Sequence, residues 1–148
     1  RVPMIVRWSG KIKPSVRDDV WAFWDFLPTA AELANAEAPS GMDGLSVAPA
    51  LLGGKQAAHP FLYWEFHERG FTRAVRMGDW KAIRLQPGGQ LELYNVKTDP
   101  GEKQDVADKN PEIVKKIEAL LKTARTESDR WPMQKPAAKP AAVGKEKS

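Results

Sequence analysis

Between residues 72 and 85 two runs of strand-forming residues, Thr72-Arg73-Ala74-Val75-Arg76-Met77 and Trp80-Lys81-Ala82-Ile83-Arg84-Leu85, are separated by only Gly78-Asp79. A two-residue connection leaves no room for a crossover, so the runs must pair antiparallel as a hairpin. Glycine at the first central position supplies the positive φ that such a turn requires. Whatever else this chain does, it must build around that hairpin.

The flanking residues extend the pattern. Phe61-Leu62-Tyr63-Trp64-Glu65-Phe66 reads as a preceding strand, separated by His67-Glu68-Arg69-Gly70. Pro87-Gly88-Gly89 reverses the chain again, and residues 90–96 alternate Leu91, Leu93 and Asn95 against Glu92, Tyr94 and Val96. Successive strand residues point to opposite faces, so this is a meander of about four strands with one apolar face seeking cover. The cover is a last helix. Asn110 is placed as its N-cap and Pro111 as its first residue, and Ile113, Val114, Ile117, Leu120, Leu121 and Ala124 recur at helical spacing. Glu112 with Lys116, and Glu118 with Lys122, stand four apart as exposed pairs. A helix laid on an antiparallel sheet is an α+β arrangement.

The first part of the chain has a different character. Residues 2–8 form an apolar run expected to be a buried strand, followed by a turn at Ser9-Gly10-Lys11. After a second apolar run at 20–24, Asp25 is placed to cap a helix whose first turn tolerates Pro28 and whose apolar face is Phe26, Leu27, Ala30, Ala31, Leu33 and Ala34, ending near Asn35. Residues 45–52 are expected to form another short helix stopped by Gly53-Gly54. Three segments follow: 1–58 as the edge of a larger α/β domain, 59–132 as the sheet-plus-helix subdomain, and 133–148 as a disordered tail of Lys, Pro and Ala.

That tail also explains the charge. Four lysines against one glutamate in residues 133–148 supply +3 of the net +4. A nucleic-acid footprint belongs on a folded face, so the tail argues for solvated lysines and against nucleic acid as a partner. With no cysteine there is no disulfide, thiolate metal site or cysteine nucleophile. No run approaches the about 20 apolar residues of a membrane span. The chain opens directly on an apolar run at Arg1, which reads as a fragment of something longer.

Several motifs occur in order: Arg1-Val2-Pro3-Met4-Ile5-Val6-Arg7-Trp8-Ser9-Gly10-Lys11-Ile12; Asp25, Pro28 and Thr29 in Asp-x-x-Pro-Thr; Asp43-Gly44-Leu45-Ser46; Trp64-Glu65-Phe66; Ala74-Val75-Arg76-Met77-Gly78-Asp79-Trp80-Lys81; Glu92-Leu93-Tyr94-Asn95; and Asp99-Pro100-Gly101-Glu102. Together, from Arg1 to about Trp131, they resemble the C-terminal portion of the type I sulfatases, the formylglycine-dependent arylsulfatase family. The departures are Ser9 where the family has proline and Asn95 where aspartate is commoner. The resemblance implies an alkaline-phosphatase-like fold and a parent enzyme that hydrolyses aryl or carbohydrate sulfate esters. It also implies a formylglycine made from Cys/Ser-x-Pro-x-Arg, a Ca2+ ion held by hard oxygen ligands, and a periplasmic or secreted setting.

No serine here stands in that nucleophile motif, and no metal ligand of the family is recognisable. The chain alone is therefore expected to be inactive, its partner being the missing catalytic part. Asp18-Asp19 follows Ser15-Val16-Arg17 in a polar loop and reads as a solvated pair; Lys11 and Lys13 fall after the place of the family's sulfate-binding lysine. His67, Glu68 and Arg69, at a strand end, are the candidates to touch the organic part of a substrate, because in sulfatases this subdomain lies beside the cleft. His59, beside Pro60, reads as incidental. The tryptophans are expected in the core, with Trp131 pinning the last helix to the sheet. Two other functions remain open: a separate binding or structural module, such as one recognising carbohydrate through aromatic rings, and a piece of a related phosphonate or phosphate-ester hydrolase.

Overall fold

The structure is a computed structural model that describes residues 2–68 and 70–133. It divides into two compact units, Arg1–Pro60 and Phe61–Ser148. The expected tail beyond Met133 lies outside the described residues.

The second unit is the meander. Strands β1 (Leu62–Phe66), β2 (Thr72–Met77), β3 (Trp80–Arg84) and β4 (Glu92–Asn95) lie in the order β1-β2-β3-β4, every neighbour antiparallel. Met77 pairs with Trp80 across the hairpin, and φ is +59° at Gly78 but not positive at Asp79, the pattern of a II′ turn. At the next reversal Gln86 O accepts from Gly89 N at 3.0 Å with Gly88 at φ +73°, a turn that Pro87 and Gly88 suit by their fixed and free φ respectively. The fourth strand is shorter than expected because the Asn95 carboxamide captures the amides of Lys97 and Thr98 and turns the chain.

Helix α3 (Pro111–Thr123) supplies the cover. Ile117 and Leu121 are buried with Val75, Ala82, Leu91 and Leu93 in one core, and Tyr63, Met77, Trp80 and Val106 pack around it. Each large apolar side chain buried there contributes roughly 1.5–3 kcal/mol relative to exposure. The Asn110 side chain does not cap this helix; it donates to Val106 O at 2.9 Å, and the backbone carbonyl of Asn110 receives the first helical amides. Glu118 reaches Arg84 on β3 in place of Lys122. The free edge of β4 is occupied: Leu93 N donates to Asp105 Oδ1 at 3.0 Å, and Leu93 O accepts from Val106 N at 2.8 Å. An edge so covered cannot recruit another strand at that point.

The first unit holds helix α1 (Phe26–Leu33), entered through a 3-10 turn at Phe23–Asp25, and the single turn α2 (Ala48–Leu51). Asn35 closes α1 at φ +52°, with Ala36 N bonded to Ala31 O and Asn35 N to Glu32 O, the paired bonds of a Schellman end. Gly53, at φ +89°, closes α2 in the same way.

Four expectations fail in this unit. Residues 2–8 form no strand, and Val2 and Ile5 are 75% and 93% exposed. A strand needs a ladder to take up its backbone groups, and the described residues offer this segment none. The helix expected over 45–52 is confined to Ala48–Leu51, and the amides of Leu45 and Val47 before it bond the side chains of Asp25 and Thr29. Helix α1 turns Pro28 and Thr29 inward and leaves Phe26 and Leu27 exposed. Trp8 is exposed and Trp21 and Trp24 only half-buried, so the early tryptophans do not form a closed core.

Candidate functional site

The most concentrated polar chemistry of the first unit surrounds Asp25, and its arrangement differs from a helix cap. The side chain makes no bond to α1, whose preceding 3-10 turn already uses the amide of Phe26. Asp25 is fully buried instead. Its Oδ2 accepts from Ala22 N at 2.8 Å, while Oδ1 accepts from Leu45 N at 2.8 Å and lies 2.9 Å from His59 Nε2. Thr29 adds a second tie, donating to Asp25 O at 2.6 Å and accepting from Val47 N at 2.9 Å. Gly44 sits where a Cβ would come within 2.2 Å of Trp24 O, so only glycine fits. The Asp-x-x-Pro-Thr and Asp-Gly-x-Ser motifs are thus two halves of one buried clasp. His59 is one of its members and not incidental. A carboxylate that is this buried and this saturated with donors is a structural anchor.

The predicted substrate residues lie in the second unit, at the β1 to β2 turn. Glu65, on the helix-covered face of β1 opposite Arg73, is the centre of the arrangement. One of its oxygens, Oε1, accepts from the Tyr63 hydroxyl and lies 2.8 Å from Arg125 Nε; the other, Oε2, is 3.1 Å from His67 Nε2. The His67 ring meets Phe71 edge-on at 4.8 Å between centroids and Trp131 at 5.2 Å. Burial and the carboxylate of Glu65 together push the Tyr63 phenol well above its ordinary range. Arg73, itself buried, crosses the Phe71 ring at 5.5 Å and donates to Leu121 O at 3.4 Å, near the C-terminal end of α3 where backbone carbonyls lack helical partners. Glu68 is exposed on the turn, and Arg69 lies outside the described residues. Trp131 therefore does not pin the helix through the core; it is 59% exposed and its ring rests on His67.

Asp19 bonds the Arg17 guanidinium, which holds its carboxyl below the usual range, and both are solvated. Lys81 grips both oxygens of Glu102 at 2.6 and 2.7 Å, and the Asp99 carboxylate accepts from the amides of Lys103 and Gln104, so Asp99-Pro100-Gly101-Glu102 is a self-bonded turn. Among the described residues no three His, Cys, Asp or Glu side chains stand together so that they could hold a metal ion. No helix among them is long and apolar enough to cross a membrane.

N-acetylgalactosamine-6-O-sulfatase of Bacteroides thetaiotaomicron is 27% identical over 142 residues, 85% of this chain and 27% of the relative. Bovine (Bos taurus) arylsulfatase A is 29% identical over 153 aligned positions, 81% of this chain and 30% of the relative. A solved 2-O GAG sulfatase superposes with a TM-score of 0.60 at 37% identity, over 68% of this chain and 23% of that structure. The chain thus spans only 23–30% of the length of these proteins. Residues 1–127 match the family described as N-sulphoglucosamine sulphohydrolase, C-terminal, and the chain accordingly belongs to the sulfatases, in their C-terminal domain family.

Proposed function

We propose that this chain is the C-terminal part of an enzyme that hydrolyses sulfate esters, and that it frames the substrate without performing the chemistry. The observation that carries the reading is the family match over residues 1–127. The names of the relatives, which include an N-acetylgalactosamine-6-O-sulfatase and a 2-O GAG sulfatase, favour a sulfated sugar over a simple aryl sulfate. The nucleophile, a formylglycine made from Cys or Ser, and the Ca2+ that polarises the sulfate would come from the remainder of the enzyme, since no Cys/Ser-x-Pro-x-Arg sequence stands in this chain.

Within this chain His67 and Glu68 are the residues we assign to the organic part of the substrate, with Arg69 beside them in sequence. Glu65 occupies Nε2 of His67, and the His67 side chain stays 18% exposed at the turn. Glu68 is exposed and suited to accept a bond from a sugar hydroxyl. The experiment is to assay the purified chain with Ca2+ and an aryl sulfate, beside the complete enzyme. The complete enzyme is expected to turn over and the chain alone to match the blank. Turnover by the chain alone that survives substitution of His67 and Asp18 would overturn the proposal.

A further inference from the structure

The segment after α3 has no role in the core, yet it is tied to the end of β1 by specific contacts. The Arg125 guanidinium, whose side chain is only 5% exposed, holds three groups at once. Its Nε lies 2.8 Å from Glu65 Oε1 as an ion pair without hydrogen-bond alignment, while Nη1 bonds Glu127 and Nη2 bonds the backbone carbonyl of Trp131. A planar fork of donors can do this, whereas a lysine, a point charge, cannot. The chain then turns back through a bond from Trp131 N to Ser128 O at 3.2 Å, which lays the indole 5.2 Å from the His67 ring. His67 is thereby fixed on three sides, by Glu65, Phe71 and Trp131. An indole that stays mostly exposed contributes little to core burial, so its place against His67 calls for another reason.

From this geometry we infer that residues 125–131 form a strap whose Arg125 and Trp131 are positioning residues, holding the His67–Glu68 turn in the one conformation in which it can meet a sulfated sugar. The inference rests on the substrate reading above for its purpose, but its mechanical content stands independently. Without the strap, the His67 ring keeps the Phe71 contact and the Glu65 bond among the described residues, and the imidazole regains rotational freedom. The strap acts through His67, so its effect on an enzyme is on binding geometry.

Hydrogen exchange on the chain bearing Trp131→Ala tests the strap directly. The amides of residues 66–71 are expected to exchange about tenfold faster while those of Val75, Ala82 and Leu93 keep their rates, as local opening without global unfolding requires. Trp131→Phe, which restores a ring, should return the rates to within about twofold of the parent chain. Arg125→Lys serves as the second variant, since it keeps the charge and loses the fork. Unchanged exchange at 66–71 in both Trp131→Ala and Arg125→Lys overturns the strap. In the complete enzyme, Trp131→Ala should raise KM for a sulfated disaccharide several-fold and leave kcat near its original value. Faster exchange with unaltered KM would keep the strap and remove this turn from the substrate.

Discussion

His59 Nε2 lies 2.9 Å from Asp25 Oδ1, although 34 residues separate them, and the carboxylate it meets is shut off from solvent. The pair ties the last residues of the first unit to the entrance of α1. Asp25 also accepts the amides of Ala22 and Leu45, so one side chain organises three segments that have no sheet or long helix in common.

Removing this carboxylate should unlock the first unit. Asp25→Ala strands two amides and an imidazole in a buried setting and is expected to cost about 3 kcal/mol, with His59→Ala costing about half as much because the two amide bonds survive. Hydrogen exchange at the amides of Leu45 and Val47 measures both. Equal protection in Asp25→Ala and the parent chain would refute the clasp.

Gly44 gives a steric test of the same clasp. Alanine there puts a methyl 2.2 Å from the Trp24 carbonyl, so the backbone must separate, at a cost of about 2 kcal/mol or more. Gly41→Ala is the control, since its site has open space and only the positive φ of +74° to resist, worth about 1 kcal/mol. Thermal melting of the two variants should rank Gly44→Ala as the less stable.

In the second unit, Leu93→Ala removes a fully buried side chain between the sheet and α3 and should cost about 3 kcal/mol. Ile83→Ala, on the half-buried opposite face of β3, should cost clearly less. Urea unfolding followed by sheet circular dichroism distinguishes them, and a reversed order would mean that α3 does not cover the assigned face.

Alkali supplies the pH dependence. Tyr94, bonded to Glu92 and shielded by burial, has its phenol pushed up to about 12, and Tyr63 shifts in the same direction beside Glu65. The folded state thus holds both protons more tightly than the unfolded chain, whose phenols ionise near 10. The stabilisation is whole below pH 10 and is lost as pH rises towards and beyond about 12. Ultraviolet difference absorbance should show no tyrosinate in the folded chain at pH 10, and melting temperatures should fall above it. Half-titration of either tyrosine in the folded chain at pH 10 would contradict the Glu65 and Glu92 bonds.

The meander was legible because its signals are local. Gly78-Asp79 and Pro87-Gly88 specify reversals by backbone φ, and Ile117 and Leu121 mark the covered face by spacing alone. The sulfatase motifs were legible as an ordered series, yet their physical work was not. Asp25 and Pro28 looked like helix-start residues, and His59 like an incidental one, since nothing nearby in sequence shows that a carboxylate will accept an amide 20 residues downstream. Residues 2–8 have the composition of a strand, but pairing is a property of two segments.

By itself, the amino-acid sequence determined the turns, the periodicities and the family, because each depends on residues within a few positions of one another or on their order along the chain. Only the tertiary structure decided that Asp25 and His59 close a buried clasp, that Glu65 holds His67, and that Arg125 and Trp131 reach back to the same strand end. Those contacts join residues far apart in the chain, and they form only once the packing has fixed which side chains leave water together and which buried groups must find a partner.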